Sequence, residues 1–275
     1  DDDADDDTAD DILPAGDVFF FMSFDVGLGD ASLVGIPGGD GMHYVMMDAG
    51  LVGEGQFTIC PVLAAHGIDK LDLMIVSHAD YDHCGGVADI LQCVDVDLIW
   101  ENGEPNPDDD GWAAYVPARD AWGGPVEMPN AGDTRAIGNA TLRVLNTNSG
   151  WPDWNNDALV VKVDHADFSV FIGSDAETEA QDAMVTNFAA QLDSEIVRIP
   201  DHAGPGWSQD FIDLVAASME VGIVSVGDND IGYPDPATLA AWEATGAPIY
   251  TTQNDGHVLV TADGDDLVVE TFPTE

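Results

Sequence analysis

Apolar residues along this chain come in short, dense runs separated by turn-forming residues. Residues 18–24, 31–36 and 44–47 read as an opening antiparallel set of strands, with Pro37-Gly38-Gly39-Asp40-Gly41 as a turn. Residues 56–65 carry a helical pattern, and the run Leu71-Asp72-Leu73-Met74-Ile75-Val76 reads as a short buried strand. A helix is expected from Gly85-Gly86 to about residue 92, then a strand at 97–100. Residues 101–124, rich in Asp, Pro, Gly and Trp, predict a long surface loop with one helical stretch. The second half opens with strands at 142–145, 158–163 and 168–172 and continues with helices at about 177–190, 209–217 and 236–245. Strands at 223–226, 249–251, 258–261 and 267–271 complete it. Strands and helices thus occur twice over, which predicts an α/β architecture of two mixed sheets face to face with helices outside.

Charge changes this picture. Acidic residues number 53 against 6 basic ones, a formal charge of -47 over 275 residues. In dilute buffer such a surface repels itself and opposes the compact state. At 1 M salt the Debye length shrinks to about 3 Å and the repulsion is screened. The acid is spread from Asp1 to Glu275, which favours adaptation of the whole surface to high salinity, as in a salt-loving organism, over a docking patch for a basic partner. The hydrophobic content of 45% is ordinary for a folded domain and argues against a disordered acidic chain. Residues 1–16 predict a flexible acidic tail ahead of a single domain over 17–275. No segment is long and apolar enough to span a membrane. The acidic start without methionine predicts the mature form of an exported protein, extracellular or at the cell surface.

The candidate chemistry concentrates in His78-Ala79-Asp80-Tyr81-Asp82-His83-Cys84-Gly85-Gly86, which holds two of the seven histidines and two carboxylates directly after a buried strand. The carboxyl ends of strands are where open α/β sheets place their ligands. Alternate positions 78, 80 and 82 can face one centre, and the glycine pair lets a helix start in close contact. Aspartate is abundant enough here that Asp80 or Asp82 alone means little, whereas two scarce histidines at this spacing point to a metal site. Among the cysteines, Cys84 and Cys93 would fall on opposite faces of a helix about 13 Å apart, too far for a disulfide. Cys60 with Cys93 is a feasible pair, and buried thiols are the commoner outcome for so few cysteines.

These residues resemble the His-x-[His/Asp]-x-Asp-His signature of the metallo-β-lactamase superfamily, and with Asp80 at the second position they resemble its ComEC-like branch. The opening Phe24-Asp25-Val26-Gly27-Leu28-Gly29-Asp30-Ala31 is similar to that branch's Asp-Val-Gly-Gln-Gly-Asp-Ala with Leu28 for Gln, and Met46-Met47-Asp48-Ala49-Gly50 to its Ile-Asp-Ala-Gly. Gly173-Ser174-Asp175 resembles the strand-ending Gly-Asp element. Arg198-Ile199-Pro200-Asp201-His202-Ala203-Gly204 resembles Val-Pro-His-His-Gly with its first histidine lost. Ser225-Val226-Gly227-Asp228-Asn229 through Gly232-Tyr233-Pro234 is similar to a further block in which Tyr233 replaces a histidine.

The resemblance implies an αββα sandwich with two divalent metal ions, zinc or manganese. It implies His78 and Asp80 on one ion, Asp82, His83 and His202 on the other, and Asp175 between them. The family's middle donor falls near Trp154-Asn155-Asn156-Asp157, where only amides or Asp157 are available. His43, His66, His165 and His257 have no such context and read as structural or exposed. Oxygen-rich ligation of this kind implies hydrolysis of a phosphodiester, with Asp82 and Tyr233 as the catalytic residues and water activated between the ions. The expected partner is then nucleic acid or another phosphodiester, with no stable protein partner. Trp112, Trp122, Trp151 and Trp154 are candidates to stack on bases. The alternatives are a β-lactam or lactone hydrolase of the same fold and a catalytically silent, acidic binding module on a cell surface.

Overall fold

A computed structural model describes residues 12–151, 153–166 and 168–274. The first half of the chain contributes strands β1 (Phe20–Ser23), β2 (Ser32–Gly38), β3 (Gly41–Met47), β4 (Lys70–Leu71), β5 (Leu73–Val76), β6 (Asp95–Val96), β7 (Ile99–Glu101) and β8 (Val126–Glu127). The second half contributes β9 (Thr134–Ile137), β10 (Ala140–Asn146), β11 (Val160–His165), β12 (Phe168–Ile172), β13 (Ile196–Arg198), β14 (Val221–Val224), β15 (Ile249–Thr251), β16 (His257–Asp263) and β17 (Asp266–Phe272). One large sheet has the order β17-β16-β1-β2-β3-β5-β7-β8 and the other β15-β14-β13-β12-β11-β10-β9, while β4 and β6 form a separate parallel pair. Both large sheets are mixed. The first is antiparallel as far as β3 and parallel from β3 to β8, and the second is antiparallel from β9 to β12 and parallel beyond.

The all-apolar strands follow from a sheet covered on both faces. Phe19, Phe21, Leu73 and Ile75 point between the sheets and meet Val144, Val161, Val170 and Ile223 from the opposite side. Their neighbours Phe20, Met22, Met74 and Val76 point outward, into a layer with residues of α1 (Cys60–Ala65), α3 (Val87–Cys93) and α4 (Asp110–Trp122). On the second sheet Phe171, Val197 and Val224 pack outward on α5 (Thr178–Phe188), α6 (Gln209–Val215) and α7 (Pro236–Glu243). The expected sandwich of two mixed sheets with helices outside is therefore what the chain forms.

Some boundaries differ for identifiable reasons. The run at 71–76 breaks at Asp72, whose carboxylate accepts from the Tyr44 N–H at 3.0 Å and pairs with His43 at 2.9 Å. Strand β13 is only three residues long, too short to stand out as an apolar run. The helix expected at 56–65 opens as a π-turn over Gly55–Ile59 before continuing as α1. In the acidic segment 101–124, Asp109 caps α4 by accepting from the Trp112 N–H, and the buried Tyr115 hydroxyl donates to Glu101 at the end of β7. The expected acidic tail lies outside the described residues as far as residue 11. Ile12 and Leu13, inside its expected span, are buried in the outer layer of the first sheet.

Cys60 and Cys93 form a disulfide between α1 and α3, with Cα atoms 6.1 Å apart, so of the two readings open for these cysteines the bridged one holds. Cys84 is a buried free thiol that burial pushes far up from its usual range, as befits a packing residue. The bridge closes a loop of 33 residues, for which chain entropy gives about 3–4 kcal/mol. Replacing both cysteines by serine is expected to lower unfolding stability by about that amount. Urea melts of the two forms would measure it, and equal midpoints would contradict it.

Candidate metal centre

Six loops converge at one end of the sandwich. After β5 the chain runs through Ser77 and His78, and Asp80, in extended conformation, begins the single turn α2 (Tyr81–Cys84) by accepting from the His83 and Cys84 N–H groups. Close packing against the first two loops requires glycine. A Cβ on Gly29 would lie 2.6 Å from the Asp82 carbonyl, and one on Gly86 would lie 2.1 Å from that of Ala49. The Asp30 N–H donates to the Asp82 carbonyl at 2.9 Å, and Ala49 to that of His83 at 2.9 Å. From the second sheet, β12 delivers Asp175 through Gly173 and Ser174, and β13 delivers His202 through Pro200 and Asp201. Asp201, His202 and Ala203 have φ of 52°, 48° and 55°, a left-handed turn that costs about 1–3 kcal/mol per residue unless its surroundings hold it. Hydrogen bonds from Asp201 N–H to the Ser174 carbonyl and from Asp235 N–H to that of Ala203, both 2.8 Å, do so.

All six side chains expected as ligands meet there. His83 Nε2 lies 3.1 Å and His78 Nε2 3.7 Å from Asp175 Oδ2, while His202 Nε2 lies 3.6 Å from Asp175 Oδ1. Asp82 is 3.5 Å from His202 Nε2, and Asp80 is 3.5 Å from His78 Nε2. Asp175 thus faces the other donors with both oxygens. His83 falls into three donor groups, one with His78 and Asp175, one with Asp82 and His202, and one with Asp30 and Asp48, where the sequence reading placed it with Asp82 and His202 alone.

Each imidazole is oriented from behind. His83 Nδ1 donates to Asp48 at 3.0 Å, and His202 Nδ1 to the Ser225 carbonyl at 2.7 Å. His78 Nδ1 donates to Ser77 Oγ at 2.9 Å, which itself donates to Asp48 at 2.7 Å. With Nδ1 committed, the three Nε2 lone pairs point into the cluster, the arrangement metal-ligating histidines use.

The donor set fits divalent cations on a direct observation. His78 Nε2, His83 Nε2, His202 Nε2 and Asp175 Oδ1 are buried and lack hydrogen-bond partners. Left so, each would cost about 1–3 kcal/mol. A mixed set of imidazole and carboxylate suits zinc or manganese. Burial opposes the charge on Asp175, yet in the metal-free protein protonated His83 and His202 outweigh it and hold its carboxyl well below the usual range. Asp201, in the position of the lost histidine, is pushed up to about 8 by burial and by Asp175.

Tyr233 stands beside the cluster, its ring centroid 6.5 Å from that of His202. The 155–157 segment supplies no donor to the cluster. Asp157 accepts from the Ser149 N–H, and Asn156 bridges Glu177 and the Ala180 N–H at the start of α5. Trp112 and Trp122 lie on α4 rather than on loops and pack on the core, and of the four candidate tryptophans only Trp154 is exposed, joined at the surface by Tyr81 of α2. His43, His66, His165 and His257 pair with Asp72, the Leu13 N–H, the Phe19 ring and the Asp25 N–H, away from the cluster. Sequence reasoning missed the supporting residues Asp30, Asp48, Ser77 and Arg198. Asp30, Asp48 and Arg198 lie inside the family-like blocks, but the two aspartates are lost among 53 acidic residues and Arg198 reads as an ordinary strand residue.

A protein-family model described as metallo-beta-lactamase superfamily matches residues 24–170. ComE operon protein 3 of Bacillus subtilis is 24% identical over 254 residues, covering 85% of this chain and 32% of that protein. Competence protein ComA of Neisseria gonorrhoeae is 24% identical over 216 residues, covering 78% of this chain and 28% of its own length. The chain thus spans about a third or less of the curated relatives it matches. Among solved structures, the metallo-beta-lactamase fold protein YhfI from Bacillus subtilis is similar with a TM-score of 0.53 at 12% identity, covering 89% of this chain and 100% of that one.

Proposed function

This chain belongs to the metallo-beta-lactamase superfamily, and from that footing we propose that it is a metal-dependent phosphodiesterase that cleaves nucleic acid outside the cell in high salt. The observation that carries the proposal is the ring of orphaned Nε2 atoms around Asp175, with Asp80 and Asp82 making the donor set rich in oxygen. His78, Asp80, Asp82, His83, Asp175 and His202 would hold two divalent ions, which when bound supply Lewis acidity toward a phosphoryl oxygen and a nucleophile from water. Relatives named for competence support nucleic acid as the substrate class.

The remaining work falls to this chain's own groups. Tyr233, whose phenol burial pushes up to about 12, stays protonated at neutral pH and can donate a hydrogen bond to a phosphate or leaving-group oxygen. Of the six basic side chains, Lys70, Arg119, Arg135 and Lys162 are paired with carboxylates, Arg198 is buried and Arg143 stands singly on β10, so among the described residues no basic groove competes with the ions for phosphate. Binding therefore draws little on counterion release, in keeping with work in concentrated salt. Tyr81 at the start of α2 and Trp154 just before the 155–157 segment, both exposed, offer faces for bases, worth about 1–3 kcal/mol each. The disulfide and the evenly acidic surface support an extracellular setting. Among the described residues no helix is long and apolar enough to cross a membrane.

The test is a substrate panel in molar salt with zinc or manganese: single-stranded DNA, duplex DNA, RNA, a model phosphodiester, a β-lactam and a lactone. Cleavage of a diester in preference to the β-lactam and lactone is expected. Turnover of the β-lactam or lactone alone would reverse the ranking, and inertness on the whole panel with metal bound would make the protein a binding module.

A further inference from the structure

Arg198 is fully buried at the end of β13, beneath the metal cluster and without touching its centre. Its guanidinium reaches three loops at once. Nη1 donates to the Ser174 carbonyl at 2.9 Å and to the Ile199 carbonyl at 2.8 Å, and Nη2 forms an ion pair with Asp30. Ser174 immediately precedes Asp175, and Ile199 leads through Pro200 into the left-handed turn of His202. Asp30 belongs to the first sheet's loop and grips the Asp82 carbonyl through its own N–H. Its carboxylate lies 3.7 Å from His202 Nδ1 and 3.9 Å from His83 Nδ1. The Ser174 carbonyl, turned by a φ of 46°, accepts from Arg198 and from the Asp201 N–H together.

We propose that Arg198 is a positioning residue that fixes the separation of Asp175 and His202, and hence the span of the metal centre, by keying the loops of both sheets onto one planar fork. The proposal rests on the metal-centre reading above. Five donors in a rigid plane suit this task, whereas an ammonium on a shorter, flexible stem keeps the charge and loses the fixed geometry. Supports one layer behind metal ligands commonly change metal affinity by about 10–100-fold when altered.

The experiment compares the wild-type chain with Arg198→Lys in molar salt. Each is stripped by chelator and titrated with zinc or manganese, with bound metal read by equilibrium dialysis, fold by near-ultraviolet circular dichroism, and kcat and KM on a model diester. Arg198→Lys is expected to keep a cooperative fold, to bind metal about 10-fold or more weaker, and to lose kcat with little change in KM. Affinity within twofold of wild type in folded Arg198→Lys would overturn the proposal and leave the metal centre standing. A wild type that takes up no metal would overturn both. If Arg198→Lys fails to fold, the neutral pair Asp30→Asn with Arg198→Gln replaces it. Metal affinity of that pair weakened by the same factor supports positioning, whereas unchanged affinity, or failure to fold, assigns Arg198 to holding the fold and overturns it.

Discussion

Alanine at His83 or Asp175 is expected to reduce diester hydrolysis at least about 10³-fold, because a catalytic divalent ion contributes several kcal/mol and about 1.4 kcal/mol is tenfold in rate. Both residues sit where the donors converge, with His83 in all three donor groups and Asp175 facing His78, His83 and His202. Losing either one disturbs two prospective ions together. Chelation of the wild type is expected to have the same effect, with recovery on adding zinc or manganese. His43→Ala is the comparison, since that ring pairs with Asp40 and Asp72 near the start of β3, at the end of the strand away from Asp48. Its turnover is expected to stay within about twofold of wild type, in line with the small effects of surface changes. Equal losses at His43 and His83, or full activity in a metal-free preparation, would show that the site has been misplaced.

The second large effect is on stability against salt. Two like charges 10 Å apart in water repel by about 0.4 kcal/mol. The Debye length grows from about 3 Å at 1 M to about 30 Å at 0.01 M, so dilution lets carboxylates across the whole surface interact. With 53 acidic and 6 basic residues, the summed repulsion becomes comparable to the about 5–15 kcal/mol that holds a native domain together. Unfolding relieves it by spreading the charges. Since about 1 kcal/mol moves the midpoint of a domain this large by about 2–4 °C, Tm is expected to fall by at least about 10 °C between 1 M and 0.01 M sodium chloride. Zinc or manganese at low salt is expected to restore part of the loss by binding only the native state. A Tm unchanged across that range would remove the case for salt adaptation and bring a basic partner back into consideration.

The fold was legible because its strands are buried on both faces and therefore read as unbroken apolar runs, as at Phe19 to Met22 and Leu73 to Val76. Candidate ligands were legible where rare histidines met short motifs, at His78, His83 and His202. Three kinds of information were hidden. The partners behind the imidazoles, Asp48 and Asp30, look like any other aspartate in a chain dominated by them. Arg198 reads as an ordinary strand residue until its burial and its three-way contact are seen. Segment 155–157 attracted attention as a donor because of its position, yet its side chains are spent on local hydrogen bonds and on the start of α5.

In its sheet β1 lies between β2 and β16, and the second of these pairs Phe20 with Thr261 and Ser23 with Val258, more than 200 residues on. During synthesis every candidate metal ligand is therefore made well before the sheet that supports them can close. A nascent chain halted short of residue 257 would carry His78 through His202 while leaving β1, apolar on both faces, as a bare edge open to pairing with another chain. A variant cut before β16 is therefore expected to keep every donor residue and yet to aggregate through the exposed edge of β1.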